Sequence, residues 1–309
     1  MLGKDYGVTE LNRAPDIART VATTVLDRDP GVLSAVDSLS HHVFLSPDVV
    51  VKVIDAGQHT RLEREIALAP FLPEGITAPL LVSGNHQGYR YACYTRMPGT
   101  APGMDLPGVD AGTARALAVQ AVHRLGMLHR WTPGEAAAAT LRETIEHGGF
   151  VNRAGLFTLI ENIRDADRDG VVEPALLDGL DRIAEGAPLH SDTIVPVHAD
   201  SHWGNWLAEG DQVTVLLDFE WARFGVPMDD WFFVIGTSGP HRDVVLDVVA
   251  GETGTAPELI RYECEVRHAT HVASDILLAL TVLEGREAGL LGARLRGLSE
   301  IVVDRLWWH

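Results

Sequence analysis

HADSHWGN at residues 198–205 and LLDFE at residues 216–220 are the two stretches that decide the fold prediction. Strand-like apolar runs at residues 193–197 and 213–219 lie on either side of the polar segment 198–210. We therefore expect a hairpin that ends in a polar loop, with acidic and amide side chains at the ends of its strands.

The side chains of that loop predict phosphoryl-transfer chemistry. Phosphoryl transfer requires a carboxylate that orients or deprotonates the attacking hydroxyl, together with oxygen ligands that hold Mg²⁺ on the phosphates. Asp200, Asn205 and Asp218 offer that set. The spacing His-x-Asp-x-x-x-x-Asn, followed by an Asp-Phe strand end, is specific because several elements coincide in order.

The N-terminal part of the chain predicts a sheet with one helix. Residues 43–45 and 49–54 are β-branched apolar runs joined by a Ser-Pro-Asp turn, and strand patterns recur at residues 80–83 and 89–94. Between these pairs, residues 60–72 carry apolar side chains at helical spacing. The first lobe is therefore expected to be a small β-rich unit.

The Pro- and Gly-rich segment 97–103 can extend neither a strand nor a helix, so we place the hinge between two lobes there. Beyond it the pattern is helical, at residues 111–131, 135–146, 150–165, 174–186, 241–249, 257–284 and 290–307. We expect an α+β, two-lobed fold, with residues 1–97 as the N-terminal lobe and residues 98–309 as the helical lobe.

Composition and charge limit the partners of the chain. Its 309 residues are 46% hydrophobic, enough for a full core, and the formal charge of 25 − 43 = −18 repels nucleic acid and anionic membranes. The sequence contains no run of about 18 apolar residues, so no membrane span is predicted. Only two cysteines occur, outside any C-x-x-C spacing, so neither a disulfide framework nor zinc is indicated and a cytoplasmic setting is expected.

Across most of its length the chain resembles the aminoglycoside phosphotransferase family, a branch of the protein-kinase-like fold. The resemblance rests on LDFEWARFGVPMDD at residues 217–230, on MPG at residues 97–99 and on RLGMLH at residues 124–129. It implies an enzyme that transfers a phosphoryl group from ATP or GTP, with Mg²⁺, to a hydroxyl of a small molecule.

The resemblance also implies roles for individual residues. Lys52 matches the family's phosphate-binding lysine and Glu65 the acid that positions it, with Glu63 a close competitor for that position. Met97 lies in the linker that resembles the family's interlobe segment, beside the expected nucleotide site. In this scheme Asp200 is the catalytic carboxylate.

Further positions complete the implied site. Asn205 and Asp218 hold the metal. The glycine-rich phosphate loop of protein kinases is absent, so backbone amides or the Ser40 hydroxyl must cover the phosphates. His198 and Asp230 are expected to organise the loop rather than to take part in the reaction.

Ala199 is a departure from the family pattern. It stands where the family commonly has Gly before the catalytic Asp. We expect this change to be harmless where the backbone φ at that position is negative.

Four alternatives remain at this stage. His198, Asp200 and His202 could grip a transition metal in a hydrolase, and residues 165–170 resemble the opening of a calcium loop that lacks the final Glu. The latter is predicted to be a surface turn. A metabolite kinase of the same fold and a catalytically silent binding module are the remaining possibilities.

The acceptor is expected to be a hydroxylated small molecule, namely an antibiotic of aminoglycoside-like or nucleoside type. The negative net charge favours a cationic acceptor through long-range attraction. Four carboxylates on the long helical segment after Pro257, at Glu263, Glu265, Asp275 and Glu284, could contribute to it or form a solvated helix face.

Overall fold

The computed structural model describes residues 13–38, 40–58, 60–145, 152–189, 194–281 and 288–308 of the chain. Five antiparallel strands form a sheet near the N-terminus: β1 (Ser34–Val36), β2 (His42–Leu45), β3 (Val49–Asp55), β4 (Leu80–His86) and β5 (Tyr89–Thr95). Their order is β1-β2-β3-β5-β4. The four strands predicted from the sequence are present, and β1 is an addition to them.

A helix that the sequence analysis did not predict covers one face of this sheet. Helix α1 (Ala14–Leu26) buries Ile17 and Val21 against Phe44 and Val51. Its buried residues recur at helical spacing, which supplies an apolar stripe that can pack only on a sheet face. The signal for this helix was therefore present in the sequence.

The alternation of β3 directs Lys52 toward the opposite face. Val49, Val51 and Val53 all pack on the α1 side, so Lys52 and Ile54 project to the other side. Ile54 packs there against Leu62 of α2 (Arg61–Leu68), a helix shorter than the predicted span of residues 60–72. The strand pattern thus places the lysine between the sheet and α2.

The predicted hinge is tied to the rest of the chain by backbone hydrogen bonds. Thr100 N donates to Ala208 O at 3.0 Å, and Ala208 N donates back to Thr100 O at 2.9 Å. Gly99 has φ +99°, and a Cβ at that position would lie 2.6 Å from Ala208 O. Only glycine allows this close approach, which fixes the segment that follows the sheet.

The remainder is mostly helical. Its helices are α3 (Ala111–Arg130), α4 (Glu135–Arg142), α5 (Arg153–Ala166), α6 (Pro174–Gly186), α7 (Met228–Gly236), α8 (Arg242–Thr253), α9 (Pro257–Thr281) and α10 (Ala288–Val302). All seven predicted helical segments have a counterpart, whereas α7 was not predicted. The predicted ends at residues 146 and 150, and residues 282–284 of the predicted long helix, lie outside the described residues. Within the described ranges, none of the helices combines the length and the apolar character that crossing a bilayer requires.

The predicted hairpin between residues 193–197 and 213–219 is wrong. Four short strands are present here: β6 (Val195–Val197), β7 (Trp206–Glu209), β8 (Gln212–Leu216) and β9 (Arg223–Gly225). β6 pairs with β9, and β7 pairs with β8. The segment predicted to be a polar loop contains the strand β7, in which Trp206 and Ala208 are buried, a pattern too short to be recognised. Residue 193 lies outside the described residues.

Two apolar cores support the helical part. One is built around α3, α7 and α8, and the other joins α5, α6, α9 and α10. Cys93 and Cys264 are buried free thiols, as expected from their spacing. Residues 165 and 166 end α5, and residues 167–170 form a turn in which both carboxylate oxygens of Asp167 accept backbone N–H groups at 2.8 Å. The prediction of a turn is therefore confirmed for residues 167–170.

The C-terminal segment is held against α9 by a buried tryptophan. Trp307 is 1% exposed, and its Nε1–H donates to His268 Nδ1 at 3.3 Å. Arg261 and Arg242 donate to the backbone oxygens of Trp307 and Leu306. Burial, with a smaller contribution from His271, lowers the pKa of His268 from 6.5 to about 4.

We expect His268→Gln to reduce the acid sensitivity of folding. The folded pKa of His268 lies below the unfolded value, so the unfolded state binds more protons as the pH falls through 6.5 toward 4. Between about pH 7 and about pH 5 the wild type should lose about 1–2 kcal/mol more unfolding free energy than the variant. Denaturant unfolding at several pH values measures this difference.

His86→Gln, on the partly exposed strand β4, is the matched control and should keep the wild-type pH profile. Equal pH profiles for wild type and His268→Gln would contradict the assignment of a buried, neutral His268.

Candidate active site

A lysine bridged by two carboxylates joins the sheet to the helical part of the chain. Lys52 Nζ lies 2.7 Å from Glu65 Oε2 on α2 and 2.7 Å from Asp218 Oδ1. Burial alone lowers the pKa of Lys52, but Asp218 and Glu65 outweigh it and hold that pKa well above its ordinary value. Lys52 therefore stays charged. Glu63 makes its ion pair with Arg90 instead, so Glu65 is the partner.

The pKa values of the Asp218 and Glu65 carboxyl groups are shifted in opposite directions. Burial raises the pKa of the Asp218 carboxyl, but Lys52 outweighs it and holds that pKa below its usual range. For Glu65 burial prevails over Lys52, and its pKa rises to about 7. Asp218 is thus the fully ionised acid of the pair.

The loop that carries Asp200 is held by hydrogen bonds to the carboxylate of Asp230 at the start of α7. Asp230 Oδ1 accepts from Ala199 N at 2.7 Å, and Oδ2 accepts from His198 N at 3.1 Å. Burial raises the pKa of Asp230, but the bond from His129 outweighs it and keeps the carboxyl ionised. Its carboxylate therefore sets the path of the backbone into Asp200.

His198 organises the same loop from within. Its Nε2–H donates to Leu217 O at 2.8 Å, and its Nδ1 accepts from Asp200 N at 3.2 Å. Both ring nitrogens are used, and burial lowers the pKa of the imidazole. These contacts agree with the expectation that His198 and Asp230 organise the loop.

Asn205 connects the loop that carries Asp200 to the Asp218 strand end. Its Nδ2 donates to Asp200 O at 2.8 Å and lies 3.3 Å from Asp200 Oδ2, while its backbone oxygen accepts from Leu217 N at 2.7 Å. Burial, followed by the charge of Asp218, raises the pKa of Asp200 to about 8. The structure thus brings Asp200, Asn205, Asp218, Lys52 and Glu65 into one site.

Comparisons with known proteins identify the family of the chain. The model of the Phosphotransferase enzyme family matches residues 37–262, well over half of the chain. The chain belongs to this family. The comparison with curated protein sequences gave no match.

Solved structures show which fold the phosphotransferase has. The GDP complex of wild-type aminoglycoside 2'-phosphotransferase-IIIa is 18% identical, with a TM-score of 0.78 over 95% of this chain and 99% of that one. The streptomycin-ATP-APH(2")-IIa ternary complex is 15% identical, with a TM-score of 0.66 over 97% of both chains. Macrolide 2'-phosphotransferase MphH from Brachybacterium faecium is 22% identical, with a TM-score of 0.61 over 92% and 98%.

Because these structures are 15–22% identical to the chain, their similarity establishes its fold and nothing finer. The phosphotransferase has the two-lobed, protein-kinase-like α+β fold that the sequence predicted, and its membership of the family makes it an enzyme with an alcohol group as acceptor. The predicted family and enzyme class are confirmed.

Glu220 is a site residue that the sequence analysis quoted but did not use. Its carboxylate is 2% exposed and contacts His41 Nδ1 at 2.9 Å and Arg61 Nε at 3.6 Å. Burial and the neighbouring Asp218 raise its pKa to about 8. The signal was the Asp-x-Glu spacing at residues 218–220, which directs two acids from one turn into the same site.

The donor set fits a magnesium ion. Ligand oxygens of Glu65, Asp218 and Glu220 all lie within 4.8 Å of one another, and Asn205 adds an amide nearby. Burial raises the pKa values of Glu65 and Glu220, and a divalent cation beside them would favour their ionised forms as oxygen ligands. Among the described residues this is the one such group, and it includes neither His198 nor His202. The transition-metal alternative is therefore not supported.

Ser40 and Met97 lie at the edges of the site. Ser40 Oγ is 2.8 Å from His41 Nδ1, so its loop reaches Glu220 through His41. Met97 packs in the apolar cluster of Ile54, Ala92 and Tyr94, on the same sheet face as Lys52. Their roles toward a nucleotide remain predictions.

Ala199 departs from the expectation stated for it. Its φ is +65°, whereas the change from Gly was expected to be harmless at negative φ. The backbone bonds to Asp230 hold the residue in the left-handed region, where a Cβ costs about 1–2 kcal/mol. The loop that carries Asp200 therefore stores strain at this position.

Ala199→Gly should raise the unfolding free energy by up to about 1 kcal/mol, since relief of the left-handed strain is partly offset by the greater freedom of glycine in the unfolded chain. Denaturant unfolding measures the change. Ala222, also buried but with φ −58°, is the control, and Ala222→Gly should be destabilising. If both variants lose the same stability, Ala199 is not strained.

Proposed function

We propose that Asp200 is the catalytic carboxylate of a kinase that transfers the γ-phosphoryl group of ATP or GTP to a hydroxyl of a small molecule. The observation that carries this proposal is the convergence of Asp200 and Asn205 with the Lys52–Asp218 contact, from segments far apart in the chain. Membership of the phosphotransferase family supports phosphoryl transfer as the reaction, and the geometry supports the roles of the residues.

Each residue has a distinct task in this proposal. Lys52 binds the nucleotide phosphates and is positioned by Glu65. Asp218 and Asn205, with Glu220, would hold Mg²⁺, which when bound neutralises charge on the phosphates. Asp200 orients the acceptor hydroxyl and takes its proton at a carboxylate oxygen.

The remaining contacts keep Asp200 in place for that task. Asn205 fixes one side of its carboxylate, and Asp230 fixes the backbone before it. A general base acts only within hydrogen-bond reach of its proton, so this support is part of the catalytic arrangement.

We propose that residues 1–97 form the nucleotide-binding lobe and residues 98–309 the lobe that carries the catalytic loop and the acceptor site. The nucleotide would lie between them, with Met97 beside the base and the Ser40 loop over the phosphates. The end of the sheet at Thr95 and the backbone bonds of Thr100 support a boundary at this point. The buried free thiols are compatible with a cytoplasmic location.

For the acceptor we propose an antibiotic hydroxyl, with a metabolite of the same chemistry as the alternative. The neighbouring structures include a streptomycin complex and a macrolide phosphotransferase, which supports this class without choosing a member.

Local charge gives little support to a strongly cationic acceptor. Glu263 pairs with Arg267, Glu265 with Arg305, and Asp275 with Arg294. Glu284 lies outside the described residues. What remains is the long-range attraction of the net charge of −18.

A panel of hydroxylated antibiotics, incubated with enzyme, Mg²⁺ and either ATP or GTP, tests the proposal by mass spectrometry of phosphorylated product. The panel should contain cationic aminoglycosides, macrolides and uncharged nucleosides. We expect turnover of at least one antibiotic, with a salt-dependent rate if the acceptor is cationic. Phosphorylation of metabolites alone would favour the alternative.

Replacing Asp218 or Asp200 with asparagine should have different effects on nucleotide affinity and turnover. Asp218→Asn should weaken both Mg²⁺-nucleotide affinity and turnover, because the charge neutralisation acts in ground and transition states alike. Asp200→Asn should lower kcat by about 10²- to 10⁴-fold and leave nucleotide affinity near wild type. Calorimetric nucleotide titration and steady-state kinetics measure both.

Asp211→Asn, at the exposed turn between β7 and β8, is the matched control and should behave as wild type. The role of Asp200 is wrong if its variant keeps most of the wild-type kcat, or if it loses nucleotide binding as strongly as Asp218→Asn does.

A further inference from the structure

A large cavity is lined by residues other than those of the proposed active site. Its volume is about 1170 Å³, enough for a drug-sized molecule. It is enclosed by the outer face of α3, by β9 and the start of α7, and by the end of α8 with the first turns of α9. Lys52, Glu65, Asp200, Asn205 and Asp218 do not line it.

The walls of this cavity are largely apolar and partly open to solvent. Met127, Phe224, Met228 and Leu259 all line it. Met127 and Leu259 are 41% and 50% exposed, although both are large apolar side chains. Exposed apolar side chains grouped around a concave site are typical of ligand-binding surfaces, and methionine adapts to ligands of different shape.

Three carboxylates and three arginines line the cavity, and one of the arginines has no carboxylate partner among the described residues. Asp229 accepts from Arg267 at 2.9 Å and lies 3.5 Å from Arg223, and Glu263 also pairs with Arg267. Glu252, the third acid of the lining, lies 2.9 Å from His123. All three acids are therefore engaged by neighbouring side chains.

Arg130 is the cation without such a partner. It lines the cavity, is exposed, and forms no ion pair with any acid in the part of the chain that the structure describes. Gly126, one turn earlier on α3, also lines the cavity, and a Cβ there would lie 3.0 Å from Arg130 Nη1. The missing side chain lets the guanidinium lie along the helix at the cavity wall.

We propose that this cavity binds an amphipathic organic anion, with the acidic group on Arg130 and the apolar body against Met127, Met228 and Leu259. A guanidinium pairs readily with a carboxylate or sulfonate, whereas a cation would meet only acids that are already paired.

A ligand in this cavity would lie next to the support of the catalytic loop. His129 and Trp231 line the cavity and contact each other edge to face, with ring centroids 5.0 Å apart. His129 Nε2 is 2.9 Å from Asp230 Oδ2, the oxygen that also accepts from His198 N. One side chain thus separates the cavity from the carboxylate that positions Asp200.

Anilinonaphthalene sulfonate, a fluorescent amphipathic anion, tests the proposal by titration of the native enzyme with saturating Mg²⁺-nucleotide present. The nucleotide occupies its own part of the proposed active site, so we expect saturable probe binding to remain, and its dependence on Arg130 assigns it to this cavity. Arg130→Gln should weaken binding at that site by about tenfold, as expected for loss of a charge-assisted contact.

Arg115→Gln is the matched control, since Arg115 is also exposed on α3 but does not line the cavity. It should bind the probe as wild type does. Because both arginines are exposed, circular dichroism should show native folding for both variants. Complete displacement of the probe by nucleotide, wild-type binding by Arg130→Gln, or equal weakening in both variants would overturn the proposal.

Discussion

The ion pair between Lys52 and Asp218 is the contact on which the arrangement of the active site depends. It connects residues 166 positions apart, one on the sheet and the other beside the catalytic loop. Burying three charged groups costs desolvation energy, and a hydrophobic replacement of similar shape is often no less stable. The function of the cluster is therefore to define geometry: it fixes the lysine at the acids that could hold the metal.

Asp230 likewise defines geometry, because it fixes the backbone that leads into Asp200. Its buried carboxylate satisfies two backbone N–H groups that would otherwise be unpaired, and those bonds hold Ala199 at φ +65°. An unpaired buried donor costs about 1–3 kcal/mol, which is comparable to the cost of the left-handed alanine. Leaving both donors unpaired would cost more than the left-handed conformation of one alanine. The loop therefore keeps the strained conformation, and Asp200 is held in place as a result.

Sequence patterns predicted the parts of this enzyme in which the local signal and the tertiary contacts agree. The strands and the helix that carry Lys52 and Glu65 were predicted from their periodicity, whereas the pairing of these two residues was implied only by the resemblance to the family. The pairing of β6 with β9 could not be predicted, because strands of three residues carry almost no periodic signal and their partners are chosen by tertiary contacts. The positive φ of Ala199 likewise depends on Asp230, a distant residue. Glu220 was visible in the Asp-x-Glu spacing, but its role depends on a burial that the sequence does not show.

Net charge and local charge act on an acceptor at different stages. The formal charge of −18 extends its field beyond the surface and influences how fast a charged molecule arrives, an effect that salt screens within about 8–10 Å. Binding then depends on which carboxylates are unpaired at the site, and the acids of α9 described above already have arginine partners. An acidic enzyme therefore need not select a cationic acceptor. Under the role proposed for Asp200, shape and hydrogen-bonding groups near this residue make that selection, so the acceptor would follow from the walls of the site and not from the composition of the chain.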